Sequence, residues 1–120
     1  MNKAGYLLDT NIVIGLLKSA PDVMALVNEL GLDFENAAVS QVTRMELLSF
    51  PRIAEDEEAS IGSFLEDCQV ILCDEHIERA AIALRRAHGL KLPDAIIVAT
   101  AQVNGLQLVT LDRQLQGVSN

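Results

Sequence analysis

The sequence predicts an α/β protein: a parallel sheet of four or five short strands flanked by helices on both faces. Two observations carry this expectation. Short apolar runs alternate along the chain with stretches of helical period. Prolines and glycines fall between them, where helices start and stop. A third supports it. The stretch Asp94 to Val103 is apolar nearly all round, which marks a helix inside the fold. The 120 residues fit one domain, 1–120, with one sizeable core.

The elements follow in order. Tyr6 to Leu8 reads as a buried strand ending at Asp9, and Asn11 to Lys18 as a helix with apolar positions 12, 13, 14, 16 and 17. Asp22 to Leu30 repeats helical spacing at Val23, Leu26, Val27 and Leu30, between Pro21 and Gly31. Ala37 to Val39 is a second strand. Ser40 then caps a helix from Gln41 to Phe50, which Pro51 ends. Glu55 to Asp67 is a helix whose apolar face holds Ile61, Phe64 and Leu65. Val70 to Cys73 is a third strand. Asp74 caps a helix with Ile77, Ala80, Ala81 and Leu84 on one side, ending at Gly89. Pro93 opens the buried helix and Gly105 stops it. Leu106 to Val109 is a fourth strand, with Asp112 in a turn or short helix beyond it. The tail after Leu115 reads as a frayed end or the stub of a fifth strand.

Composition narrows the function. Half of the residues are hydrophobic but only 3% are aromatic, and there is no Trp. The core must be built from Leu, Ile, Val and Ala, and base-stacking on aromatic side chains is not expected to dominate any binding. No apolar run approaches the roughly 20 residues that span a bilayer. The first residues carry a charge too early for a secretory signal, so the expected location is the cytoplasm. Cys68 and Cys73 have no second cysteine pair, and with His76 they make an incomplete zinc set. Two buried or half-buried free thiols are expected instead. Nine basic and 17 acidic residues give a net charge of −8, the wrong sign for a simple electrostatic nucleic-acid binder. Either the substrate is not a nucleic acid, or metal ions offset the acids, or a basic partner covers them.

Of four candidate carboxylates, three stand at places where this topology gathers chemistry. Ligands of an open parallel sheet bind beyond the carboxyl ends of its strands. Asp9 follows the first strand directly and Asp112 stands just past the fourth. Asp94 lies in the first turn of the buried helix, and Glu46 interrupts the apolar stretch Met45-Glu46-Leu47-Leu48. Singly, each has an ordinary explanation: a helix cap, a dipole-favoured acid, a turn residue, a surface residue. Together they would repel one another and raise each other's pKa unless a cation were present. Carboxylate oxygens are the ligands Mg²⁺ and Mn²⁺ prefer. Such an ion can activate water and stabilise an in-line displacement at a phosphodiester. The chain has no glycine-rich phosphate loop and no serine elbow, and its two histidines lack evident partners.

The motifs resemble those of a known family. Leu7-Leu8-Asp9-Thr10-Asn11, Glu46 after Val39-Ser40, Leu92-Pro93-Asp94-Ala95-Ile96-Ile97 and Leu108-Val109-Thr110-Leu111-Asp112-Arg113 look like a PIN domain. Their order and the compact length look most like the VapC-type toxins of toxin–antitoxin pairs. The resemblance runs from about Tyr6 to Leu115. It implies a PIN-like three-layer fold and Mg²⁺- or Mn²⁺-dependent cleavage of RNA. It carries an acidic quartet, both metal-holding and catalytic, onto Asp9, Glu46, Asp94 and Asp112. It gives Asn11 and Thr110 a polar supporting role, hydrogen-bonding the carboxylates or a bound water. It also implies an antitoxin partner whose inhibitory segment folds on binding.

Weaker features follow. The run Glu55-Asp56-Glu57-Glu58 opens a helix and complements its dipole. Arg85, Arg86 and Lys91 precede Asp94, and they read either as a guide for RNA phosphates or as a solvated basic face. Arg113 adjoins Asp112 and is placed to meet RNA or solvent. Arg44 falls on a different helix face from Glu46. Small domains with apolar helix faces often pair, so a homodimer is an open expectation. Two rival readings stand beside the nuclease. One is a non-catalytic PIN-like module that binds RNA or protein, although degenerate copies usually lose an acid and all four are present here. The other is a haloacid-dehalogenase-type phosphatase, which commonly has a second Asp where this chain has Asn11.

Overall fold

The computed structural model describes residues 4–119. Four strands, β1 (Tyr6–Leu8), β2 (Ala37–Ser40), β3 (Gln69–Ile71) and β4 (Gln107–Val109), form one parallel sheet in the order β3-β2-β1-β4. The helices are α1 (Thr10–Leu17), α2 (Pro21–Leu30), α3 (Gln41–Leu48), α4 (Glu55–Asp67), α5 (Glu75–His88), α6 (Leu92–Val103) and α7 (Arg113–Ser119). The expected α/β class and parallel sheet are therefore observed.

Why the sheet is buried on both faces can be read from β1. Leu7 and Leu8 point to opposite sides, and both are buried. Leu8 sits beside Val39 and Val109. With them it packs against Ile12 and Val13 of α1, Val23 of α2 and Ile61 of α4. Leu7 packs with Ala38 against Ile97 and Ala101 of α6 on the other face. Helix α6 is the inner helix there, because α5 and α7 cover it through Ile77, Ala81 and Leu115. This explains its near-continuous apolar surface: Ala95 and Ile97 through Ala101 are all buried.

Two local features set the frame. Helices α1 and α2 meet at 107°, across a turn in which Ser19 adopts φ 54°. The crossing brings Gly15 against Val23, so close that a Cβ on Gly15 would stand 2.4 Å from Val23 Cγ2. Pro21 opens α2, and Gly31 at φ 64° closes it.

Three expectations are corrected. A fifth strand does not form among the described residues. The tail is α7, because Asp112 Oδ1 accepts the N–H groups of Gln114 (2.9 Å) and Leu115 (3.2 Å) and buried Leu115 docks on α6. The third strand begins and ends earlier than Val70–Cys73, because pairing with β2 sets its register as Ala38 to Gln69 and Ser40 to Ile71. Leu72 is left 58% exposed. Of the two free thiols only Cys68 is buried, and that burial pushes its pKa up to about 11. Cys73 is exposed beyond the sheet, where its N–H donates to Gln41 Oε1 at 3.0 Å.

Candidate active site

The sheet order creates the site. From β1 the chain steps outward to β2 and β3, then returns to the other side of β1 as β4. Above β1 and β4 the direction of winding reverses, and a crevice opens at the strands' carboxyl ends. There a cavity of about 400 Å³ is lined by Asp9, Thr10, Asn11, Ile14, Glu46, Ser49, Phe50, Asp94, Ile97, Asp112 and Leu115. All four acids expected from the sequence face this one space.

Asp9 is 4% exposed and caps α1. Its Oδ1 accepts the Ile12 N–H at 2.9 Å, and its Oδ2 accepts the Thr110 hydroxyl. Thr110 Oγ1 in turn accepts the Asp112 N–H at 3.0 Å. Burial raises the Asp9 pKa. The bonds from Thr110 and Ile12 offset part of that rise, and the Asp112 charge adds to it. Asp94 lies in the first turn of α6, after Pro93. Burial raises its pKa first, then the charges of Asp112, Glu46 and Asp9, while Lys91 acts in the opposite direction. Glu46, half-buried on α3, accepts the Thr10 hydroxyl on Oε1 at 2.7 Å. Asp112 is exposed and caps α7. The ordinary explanations of Asp9 and Asp112 as caps are therefore true as well; capping uses only part of each carboxylate's accepting capacity.

Among the described residues, no three of His, Cys, Asp and Glu are close enough to hold one ion directly. That also leaves Cys68, Cys73 and His76 without a zinc site. At the acidic cavity the donor chemistry still suits a hard cation. The donors are all oxygens, and they repel one another for want of a counter-charge. Mg²⁺ dehydrates reluctantly and is commonly held by one or two carboxylates through retained waters. Direct contact with all four acids is not required.

The supporting residues divide. Thr110 donates its side-chain hydroxyl to Asp9. Asn11 lines the cavity but acts on Asp9 through its backbone N–H, which lowers the Asp9 pKa. Of the basic residues, Lys91 is near enough to act on Asp94. Arg85 turns aside, and its Nε donates to Leu90 O at 3.3 Å. Arg86 and Arg113 are exposed, and neither lines the cavity, nor does Arg44. Sequence reasoning missed Thr10, Thr43, Ser49 and Phe50. Thr10 stood inside the quoted Asp-Thr-Asn motif. Thr43, three residues before Glu46, had a signal in that spacing, because it shares a helix face with Glu46. Beside the acids runs a second groove of about 430 Å³ between α1 and α4. It is lined largely by apolar residues, including Leu17, Leu47, Ile53 and Ile61, and it shares Ile14 and Phe50 with the acidic cavity.

The family model described as PIN domain matches residues 6–120. The chain belongs to the PIN-domain family. Among solved structures, this PIN domain is similar to a chain of a toxin–antitoxin complex from Klebsiella pneumoniae. The identity is 32%, with 89% of this chain and 86% of that chain covered and a TM-score of 0.77. Two others share the PIN fold at lower identity. A chain of DNA-bound VapBC from Salmonella typhimurium is 22% identical over 94% of this chain and 91% of its own, with TM-score 0.80. A chain of VapBC-1 from nontypeable Haemophilus influenzae is 23% identical over 94% and 90%, with TM-score 0.73. No curated protein matches the chain. Among the described residues, no single helix is long and apolar enough to cross a membrane.

Proposed function

We propose that residues 1–120 form a single PIN domain acting as a Mg²⁺- or Mn²⁺-dependent endoribonuclease, the VapC-type toxin of a toxin–antitoxin pair in the cytoplasm. One observation carries the reading. Four carboxylates from the ends of β1 and β4 and from α3 and α6 converge on one cavity, where burial and the neighbouring acids raise the pKa of Asp9 and Asp94. A fold does not gather uncompensated charge at its switch point without a cation to meet it. The membership in the PIN-domain family and the likeness to a toxin–antitoxin complex support it further.

Asp9, Glu46, Asp94 and Asp112 would hold the ion. When bound, it supplies a water nucleophile at neutral pH and charge stabilisation at a phosphodiester. The chain's own groups do the rest. Thr110 fixes the Asp9 carboxylate in one rotamer, and Thr10 does so for Glu46. Ile14, Phe50 and Ile97 give the cavity an apolar wall that limits bulk water. Lys91 places a cation beside Asp94, where an RNA phosphate would approach.

The negative surface points to a basic partner. An antitoxin segment with a Lys or Arg would set its cation among the carboxylates through charge-assisted hydrogen bonds. Its apolar residues would lie in the adjoining groove between α1 and α4. Met45, Leu48 and Ile82, exposed on α3 and α5, offer apolar surface for pairing with a second copy.

The test is cleavage of total cellular RNA by the purified chain. Cutting is expected with Mg²⁺ or Mn²⁺, none in EDTA, and none by Asp94→Asn. Equal cutting in EDTA would overturn the metal reading, and cutting of DNA alone would overturn the RNA reading.

A further inference from the structure

We propose that Thr43 is a positioning residue for Glu46, acting through Thr10; the inference rests on the metal-nuclease reading above. Thr43 is fully buried, at 0% exposure, on α3. A buried hydroxyl must find a partner or cost stability. Threonine inside a helix commonly bonds the carbonyl one turn back. Thr43 instead stands 3.0 Å from Thr10 Oγ1, across the junction between α3 and α1. The direction of that bond follows from its neighbour. Thr10 gives its only hydroxyl proton to Glu46 Oε1 at 2.7 Å. The proton between the two threonines therefore belongs to Thr43.

The result is a directed relay, Thr43 to Thr10 to Glu46. Each bond polarises the next, so the bond to the carboxylate is stronger than Thr10 alone would make it. Thr10 follows Asp9 directly in the chain. The relay thus ties the rotamer of one acid on α3 to the backbone that carries another. Glu46 is the long carboxylate of the four, with the most rotamer freedom to lose on binding a cation. Oε1 is held, and Oε2 accepts no hydrogen bond among the described residues, which leaves it for a ligand. A core threonine kept where valine would fill the same shape is explained by this service.

The experiment titrates Mn²⁺ alone into the full chain by calorimetry, with thermal melts of the metal-free proteins alongside. Thr43→Val should weaken Mn²⁺ binding about two- to tenfold, the span that one hydrogen bond's free energy covers. Thr43→Ser, which keeps the hydroxyl, should restore it. In a Thr10→Val background, Thr43→Val should add nothing, because the relay is already cut. Unchanged affinity in Thr43→Val would overturn the relay. So would a loss that persists in the Thr10→Val background, or one that Thr43→Ser shares. Wild-type chain that binds no Mn²⁺ would overturn the metal reading and the relay with it, whereas wild-type binding with an unaltered Thr43→Val overturns the relay alone.

Discussion

Thr110 donates its hydroxyl proton to the Oδ2 of Asp9 across 101 residues of sequence. The same oxygen of Thr110 accepts the Asp112 backbone N–H. Three residues from the ends of two neighbouring strands are thereby locked into one unit, and two of them are the acids of the proposed metal site.

That unit separates the structural from the chemical work of Asp9. Asn is as good a helix cap as Asp, so Asp9→Asn should keep α1 and fold normally. Asp9→Ala should lose about 0.5–2 kcal/mol from the missing cap. Both should cut RNA cleavage by about a hundredfold or more, since losing even an outer partner of a metal ligand costs 10–100-fold. Urea unfolding paired with a cleavage assay checks both halves.

Stability should depend on pH in a sense set by the raised acids. Asp9 and Asp94 bind protons more tightly folded than their ordinary value of 3.8 allows. The stability they contribute is fully present below 3.8 and is lost as pH rises through their folded values. Asp94→Asn should therefore melt higher than wild type without metal at pH 7. The advantage should shrink towards pH 4. An advantage equal at both pH values would contradict the assigned cause.

Packing makes a third prediction. Gly15 has no room for a side chain, because an added Cβ would meet Val23 Cγ2 at 2.4 Å and Val23 Cβ at 2.9 Å. Gly15→Ala should destabilise the protein by about 1–3 kcal/mol through overpacking. Adding Val23→Ala should recover part of the loss. Denaturant midpoints of the two variants decide it.

Among the basic residues, Lys91 is singled out by its effect on Asp94. Lys91→Ala should lower the salt slope of RNA binding by about 0.7, the value of one single-strand phosphate contact. Arg86→Ala and Arg113→Ala should change it less, since neither residue is among the charges that act on Asp94. Equal slopes in all three would return Lys91 to a solvated face.

A cognate antitoxin should compete with Mg²⁺ and bind faster at low salt, as expected of a cation drawn to the carboxylates. Inhibition independent of Mg²⁺, with an on-rate indifferent to salt, would identify steric blocking instead.

Much of this was legible in the sequence, and the reasons are physical. Strands buried on both faces show as short apolar runs, and the inner helix α6 shows as an apolar stretch between Pro93 and Gly105. Asp9 and Asp112 were legible because position relative to a strand end fixes where a side chain must go, and Asp94 because Pro93 marks the first turn of α6; Glu46 showed only as an acid in an apolar stretch. What failed was what depends on distant partners. The register of β3 is set by β2, so Leu72 looked like strand interior and is exposed. The tail offers only Leu115 and Val118 as apolar positions, too few to set a period, and it becomes helix through the Asp112 cap and their seat on α6. For Thr43 the spacing to Glu46 gives the shared helix face, but not the Thr10 hydroxyl it meets across a helix junction.

The strand order β3-β2-β1-β4 has a consequence for synthesis. A ribosome delivers Asp9 about a hundred residues before Asp112. Until β4 emerges, the middle strand β1 lacks one neighbour and Asp9 lacks Thr110. A nascent chain, or one cut short before Gln107, would carry three of the four acids and no assembled cavity. The acids thus meet only when β4 joins β1, so cation binding should appear with that last pairing and not before it, a delay written into the winding of the sheet.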